Sequence, residues 1–252
     1  MPVFRFGLVV LASVMFAQTP PVPAPLQGVH RIVMLGDSIT QQGENPGGYV
    51  WLTRQYLQRI YPTQKIEVIN AGISGHRSTE MIDRFQKDVL DQHPDLVTIS
   101  VGVNDVWHGF YDNHPAGDGP RGIKLEDYRR NVEDMVSRAE GRGAKIVILS
   151  ATPIYEDLKN RENAKEEKYN SALRDIARRH NAIFVDYQRP MRKLIDTYRR
   201  STGARDNFLT TDGVHMNSSG NEVMAHTLLS ALGVPPEARA AVQADVNKAK
   251  RQ

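Results

Sequence analysis

Short runs of aliphatic and β-branched residues alternate along the chain with stretches in which apolar residues return at helical spacing. The runs Arg31–Gly36, Lys65–Asn70, Leu96–Gly102, Lys145–Ser150 and Ala182–Asp186 are nearly continuously apolar, as strands covered on both faces must be. Between them, Tyr49/Leu52/Tyr56/Ile60, Met81/Phe85/Val89, Tyr128/Val132/Met135/Ala139 and Tyr169/Leu173/Ile176 recur every three or four residues. Each set predicts a helix with one buried face. Ser219-Gly220-Asn221-Glu222 has the form of a capping box and predicts a last helix through Val223, Leu228 and Leu232. Strand and helix in alternation mark repeated βαβ units, so the expected fold is α/β, built on a five-stranded parallel sheet. No internal repeat and no second-domain boundary interrupts the pattern.

The two ends differ from this body. Residues 1–7 carry one positive charge, Arg5, and lead into an apolar run from Leu8 to Ala17, followed by Gln18-Thr-Pro-Pro-Val-Pro-Ala-Pro. The run is shorter than the roughly 20 residues that span a bilayer and ends on a small residue. It therefore reads as a secretory signal peptide over 1–17, with an uncut membrane anchor as the alternative. Residues 18–28 read as a Pro-rich tether, 29–234 as the folded domain, and 235–252 as a polar, Ala-rich helical tail frayed at the surface. On this reading the protein is secreted or periplasmic and keeps no stable membrane span after signal cleavage.

Composition removes several kinds of chemistry. Lys+Arg number 32 against Asp+Glu 29, and the two signs alternate instead of clustering, which is no footprint for nucleic acid. With Cys at 0, disulfides, thiolate nucleophiles and cysteine-ligated metal centres are excluded. His76, His93, His108 and His114 lack the His-Glu-x-x-His spacing of a zinc hydrolase. The P-loop pattern and the Gly-x-Ser-x-Gly elbow are missing as well. No metal and no cofactor is implied.

In a parallel sheet the carboxyl ends of the strands share one rim, and ligands bind there. The rim loops read Gly36-Asp37-Ser38-Ile39-Thr40, Asn70-Ala71-Gly72-Ile73-Ser74-Gly75, Gly102-Val103-Asn104-Asp105 and Thr211-Asp212-Gly213-Val214-His215. Acyl transfer needs a hydroxyl nucleophile, an imidazole base, a carboxylate to orient the imidazole and donors for the oxyanion. All four kinds of group are present, and Asp212 lies three residues before His215, close enough for one turn to join them. Singly, each residue has an ordinary explanation: Ser38 as a helix cap, Asn104 and Asp105 as turn residues, Gly72 as a positive-φ position, His215 as a satisfied histidine.

Together and in this order, the four blocks resemble those of the SGNH, or GDSL-type, hydrolases, over roughly Arg31 to Gly233. The resemblance implies a three-layer α/β/α sandwich of flavodoxin-like kind. It implies Ser38 as nucleophile, His215 as base and Asp212 as its orienting partner. The backbone N–H groups of Ser38 and Gly72 and the Asn104 amide become the oxyanion hole. The first block reads Gly-Asp-Ser-Ile where the namesake has Gly-Asp-Ser-Leu, which keeps the bulk.

Substrate is less legible. Gln41, Gln42, Glu44 and Asn45, then Arg77, then Arg205, Asp206 and Asn207 surround the blocks with polar groups, which suit a hydroxyl-rich substrate better than an acyl chain. The long loop Trp107–Gly122 offers Trp107, Phe110 and Tyr111 for stacking on a sugar ring, or else Trp107 plugs the core beneath it. Asp37, Trp107 and Arg77 are the candidate substrate contacts. The expected function is a secreted serine esterase that removes short acyl groups, acetyl first, from a small-molecule or saccharide ester. The alternatives are a lysophospholipase or arylesterase of the same family, and a saccharide-binding protein that keeps the fold without turnover. No oligomeric state is legible.

Overall fold

The computed structural model describes residues 20–251, so the segment read as a signal peptide lies outside the described residues. Five strands, β1 (Arg31–Gly36), β2 (Glu67–Gly72), β3 (Leu96–Ser100), β4 (Lys145–Leu149) and β5 (Ile183–Val185), form one sheet in the order β2-β1-β3-β4-β5. Every pairing is parallel. The helices are α1 (Ser38–Gln42), α2 (Tyr49–Ile60), α3 (Ser78–Asp88), α4 (Val103–Trp107), α5 (Leu125–Glu140), α6 (Arg161–Arg179), α7 (Gln188–Thr202), α8 (Ser218–Ala231) and α9 (Pro236–Ala249). Helices α3, α5 and α6 pack side by side in one layer, while α2, α8 and α9 pack together in the other. The result is the three-layer α/β/α sandwich expected from the sequence.

The central strand β3 is buried at all five positions, and every residue of the four helical stripes is buried. Burial on both faces explains why the strands read as unbroken apolar runs and the helices as single stripes. At the rim the chain steps from β1 outward to β2 and then back across to β3. The crevice between the ends of β1 and β3 is therefore the topological switch point, where a doubly wound sheet leaves room for a ligand.

Four details differ from expectation. β2 starts at Glu67 rather than Lys65 and runs on to Gly72, because Lys65 takes a left-handed turn (φ 49°) that no strand accommodates. The cap of α8 is Asn217, whose side chain accepts the Gly220 N–H at 3.1 Å, so Ser219 already lies within the helix. Part of the Pro-rich tether is seated rather than loose: Leu26 is fully buried, and the Lys145 ammonium donates to the Gln27 carbonyl at 2.7 Å. The C-terminal helix is docked on α2 rather than frayed. Val246 is buried, the Tyr56 hydroxyl is hydrogen-bonded to Gln243, and Arg239 donates to the His226 carbonyl at 2.9 Å.

Candidate active site

Where β1 ends, Asp37 accepts the Ile39 N–H at 2.9 Å and turns the chain into α1, which sets Ser38 at the head of the helix over the switch point. His215 comes from a loop 177 residues further on. That loop is closed by a single antiparallel bridge between Thr210 and Met216 and by the Thr211 N–H on the His215 carbonyl at 2.8 Å. Inside it, Asp212 Oδ1 accepts the N–H groups of Val214 (2.9 Å) and His215 (2.8 Å), so the carboxylate folds the turn that carries its own partner. Asp212 Oδ2 lies 2.6 Å from His215 Nδ1, and His215 Nε2 lies 2.9 Å from Ser38 Oγ.

The charges fix the protons in this line. Partial burial acts against ionised Asp212, but the hydrogen bonds from the His215 ring and from the His215 and Val214 backbone outweigh it and hold its carboxyl below the usual range. An ionised carboxylate only accepts, so Nδ1 carries the hydrogen, and in the neutral ring Nε2 presents its lone pair to the Ser38 hydroxyl. Such a line can take a proton from a serine as it attacks a carbonyl.

The expected oxyanion donors fare differently. Asn104, buried at the start of α4, donates through Nδ2 to the His76 carbonyl at 3.0 Å, which leaves its second amide hydrogen without a partner among the described residues. Gly72 requires correction. Its N–H donates to Asn70 Oδ1 at 2.8 Å, so it is not free for a substrate. Glycine is needed there for a different reason, since a Cβ at Gly72 would stand 2.2 Å from the Gln41 backbone nitrogen. The neighbouring N–H groups are also spent: Ile73 on the Gly36 carbonyl, Ser74 on Gln41 Oε1, His76 on the Ile73 carbonyl, Arg77 on Glu80 and Ser78 on Asp105. From 72 to 78, only Gly75 keeps an unpartnered N–H among the described residues, and it immediately precedes the residue whose carbonyl holds Asn104.

The three residues suggested as substrate contacts also have defined surroundings. Asp37 is 3% exposed and serves as a cap. Burial pushes its carboxyl up to about 6, against the pull of the Ile39 N–H and the His215 charge. Arg77 is ion-paired with Glu80 and donates to the Arg121 carbonyl at 2.6 Å, which fixes the head of α3 instead of leaving a free guanidinium. Trp107 is half-buried at the end of α4. Its indole N–H donates to the Tyr155 hydroxyl at 3.0 Å, and it meets Tyr111 and Tyr155 edge-on at 5.6 and 6.0 Å. Other polar groups flanking the blocks bond within the protein as well: Glu44 with Arg54 at 2.7 Å and Asp206 with the Tyr198 hydroxyl at 3.0 Å.

One residue that the sequence pattern does not single out braces the rim. Arg84, on the inner side of α3, donates to the carbonyls of Gly36 (2.9 Å) and Ala71 (2.8 Å) and to His76 Nδ1 (3.0 Å). It thereby ties together the ends of β1 and β2 and the loop that follows. An arginine in the middle of a polar helix stripe reads as solvent-facing, so only the three-dimensional arrangement reveals it.

Comparison with known proteins agrees with this architecture. A model of the GDSL-like Lipase/Acylhydrolase family matches residues 34–223. The chain is 28% identical over 216 residues to an acetylxylan esterase of Geobacillus stearothermophilus, covering 81% of this chain and 94% of that protein. It is 25% identical over 210 residues to an isoamyl acetate-hydrolyzing esterase 1 homolog of Mus musculus, covering 77% and 78%. A crystal structure of the Geobacillus stearothermophilus acetylxylan esterase Axe2 superposes with a TM-score of 0.69 at 26% identity, over 81% of this chain and 94% of that one. With the family model spanning most of the chain, the protein belongs to the GDSL-like lipase/acylhydrolase family and is a carboxylic ester hydrolase.

Proposed function

We propose that the protein is a secreted serine esterase that cleaves short acyl esters, with acetyl groups on carbohydrates as the preferred substrates. The observation that carries the reading is the unbroken line Ser38 Oγ–His215 Nε2 (2.9 Å) and His215 Nδ1–Asp212 Oδ2 (2.6 Å). In this mechanism His215 Nε2 takes the proton as Ser38 Oγ bonds to the ester carbonyl carbon, and Asp212 stabilises the imidazolium. The developing oxyanion receives the Ser38 N–H, the Gly75 N–H and the free amide hydrogen of Asn104. Collapse expels the alcohol with the proton returned from His215, and a water activated by the same nitrogen releases the acid from Ser38.

The relatives bear on the acyl group and the triad. The names of both relatives refer to acetyl esters, one as an acetylxylan esterase and the other as a homolog of an isoamyl acetate-hydrolyzing esterase. Solved structures of the Geobacillus stearothermophilus esterase include catalytic mutants of a serine, an aspartate and a histidine, the last two three positions apart, the spacing of Asp212 and His215 here. Trp107, Tyr111 and Tyr155 form the wall against which a sugar ring stacks, beside the Asp212–His215 loop. Secretion rests on the apolar run before residue 18, with 29–234 as the hydrolase domain. Among the described residues no helix is long and apolar enough to cross a membrane.

A substrate panel tests the reading. Purified protein is expected to release acetate from acetylated xylo-oligosaccharide with a higher kcat/KM than it shows on a lysophospholipid. Preference for the lysophospholipid would overturn the carbohydrate assignment and leave the ester hydrolase intact.

A further inference from the structure

We propose that Glu156 is a positioning residue of this reaction, whose buried carboxylate holds the loop 208–216 so that Asp212 and His215 stay aimed at Ser38. The proposal rests on the triad reading above. Glu156 lies on the loop after β4, is 3% exposed, and forms no ion pair among the described residues. Four donors surround it instead. Oε2 accepts the Phe208 N–H at 2.7 Å, and Oε1 accepts the N–H groups of Leu209 (2.7 Å) and Thr210 (2.9 Å) and the Thr210 hydroxyl (2.8 Å).

These bonds carry through to the triad. Three of the four bonds fall on Oε1 and one on Oε2, and all four come from one short stretch of chain. Thr210 then passes the restraint inward, because the hydroxyl that donates to Glu156 accepts the Gly213 N–H at 3.2 Å, one residue beyond Asp212. The neighbour of Glu156 grips the same turn from the other side, with the Tyr155 N–H on the Gly213 carbonyl at 2.7 Å. The loop has no other regular structure than the Thr210–Met216 bridge. Without Glu156, three N–H groups at its entrance, two of them buried, would have no acceptor, and leaving a buried donor unsatisfied is costly enough to shift the backbone. Tyr155 also binds Trp107, so the same dipeptide couples the catalytic loop to the aromatic wall.

Glu156→Gln is the discriminating variant. It keeps the shape and one oxygen, but turns an amide NH2 toward the Phe208 N–H, so that donor faces donor. Displacement of a catalytic group by a fraction of an ångström lowers turnover without altering ground-state binding. The expected result with nitrophenyl acetate is a kcat lower by roughly 10–100-fold, KM within about twofold, and a parallel slowing of phosphonate labelling at Ser38. Thr210→Val, which spares Glu156 and breaks the relay to Gly213, should show the same split and carries the test if Glu156→Gln does not fold. A normal kcat in whichever folded variant is measured, even with a lowered Tm, overturns the proposal and leaves these residues a purely structural task. Ser38→Ala, assayed alongside, separates the two readings. If it is inactive while Glu156→Gln turns over normally, only the Glu156 proposal fails, whereas normal turnover by Ser38→Ala overturns the triad and this proposal with it.

Discussion

Asn104 is the one proposed oxyanion donor that can be removed without touching the backbone. Its loss should lower kcat by roughly 10²–10³-fold with KM little changed, since the interaction is made in the transition state. A rise in KM alone, by steady-state kinetics on nitrophenyl acetate, would make it a substrate-binding group instead. Asp105, next to it, is buried. Burial pushes its carboxyl up to about 6, against its hydrogen bonds to Ser78 and with some help from the Asp37 charge, and Oδ2 has no partner among the described residues. A folded-state value above the unfolded 3.8 means that the native state holds the extra proton between about 4 and 6, so this group loses stability as pH rises through that window. Relative to Asp105→Asn, the wild type should gain on the order of 2 kcal/mol when pH is lowered from 7.5 to 4.5, as read from urea midpoints. A difference that does not change with pH would contradict the assignment. At this scale the sequence shows residue types but not the direction of an N–H. Ser38, Asp212 and His215 are legible because chemistry restricts their types, whereas Gly72 and Gly75 look equivalent until the Asn70 side chain is seen to occupy one of them.

Elements decide what the residues face. The loop 107–122 is glycine-rich, and its glycines pack backbone against backbone: a Cβ at Gly109 would stand 2.2 Å from the Gly117 carbonyl oxygen. The loop is close-packed against itself, and Trp107 is held at its base by Tyr155. Trp107→Ala should reduce kcat/KM for an acetylated xylo-oligosaccharide about fivefold, on the order of 1 kcal/mol of stacking, while nitrophenyl acetate changes little. Equal losses on both substrates together with a lower Tm would show a core residue instead. Helix α9 supplies a contrasting case. Val246→Ala removes buried apolar surface against α2 and should cost about 1.5 kcal/mol of stability with kcat unchanged. Unaltered chemical denaturation would mean that the helix is not docked. Its Ala-rich, polar sequence hides this packing, because small residues at an interface carry no strong apolar stripe. The capping asparagine of α8 was hidden likewise by two serines that also cap well.

For the whole molecule, the alternation of strand and helix was legible because a parallel sheet covered on both faces leaves little freedom in residue type. The site followed from it, since four short blocks on separate loops have chemical meaning only if the strands bring their carboxyl ends to one rim. What was not legible depends on contacts between distant segments: Arg84 bracing β1 against β2, and Glu156 bracing the loop of His215 from the end of β4. The central claim is that Ser38, 177 residues from His215 in sequence, is the nucleophile. The most direct measurement is reaction with a serine-directed fluorophosphonate followed by peptide mass analysis. The expected result is a single adduct on Ser38, absent in Ser38→Ala and strongly slowed in His215→Ala, with esterase activity lost in proportion to labelling. An adduct on any other residue, or near-normal turnover by Ser38→Ala, would contradict it.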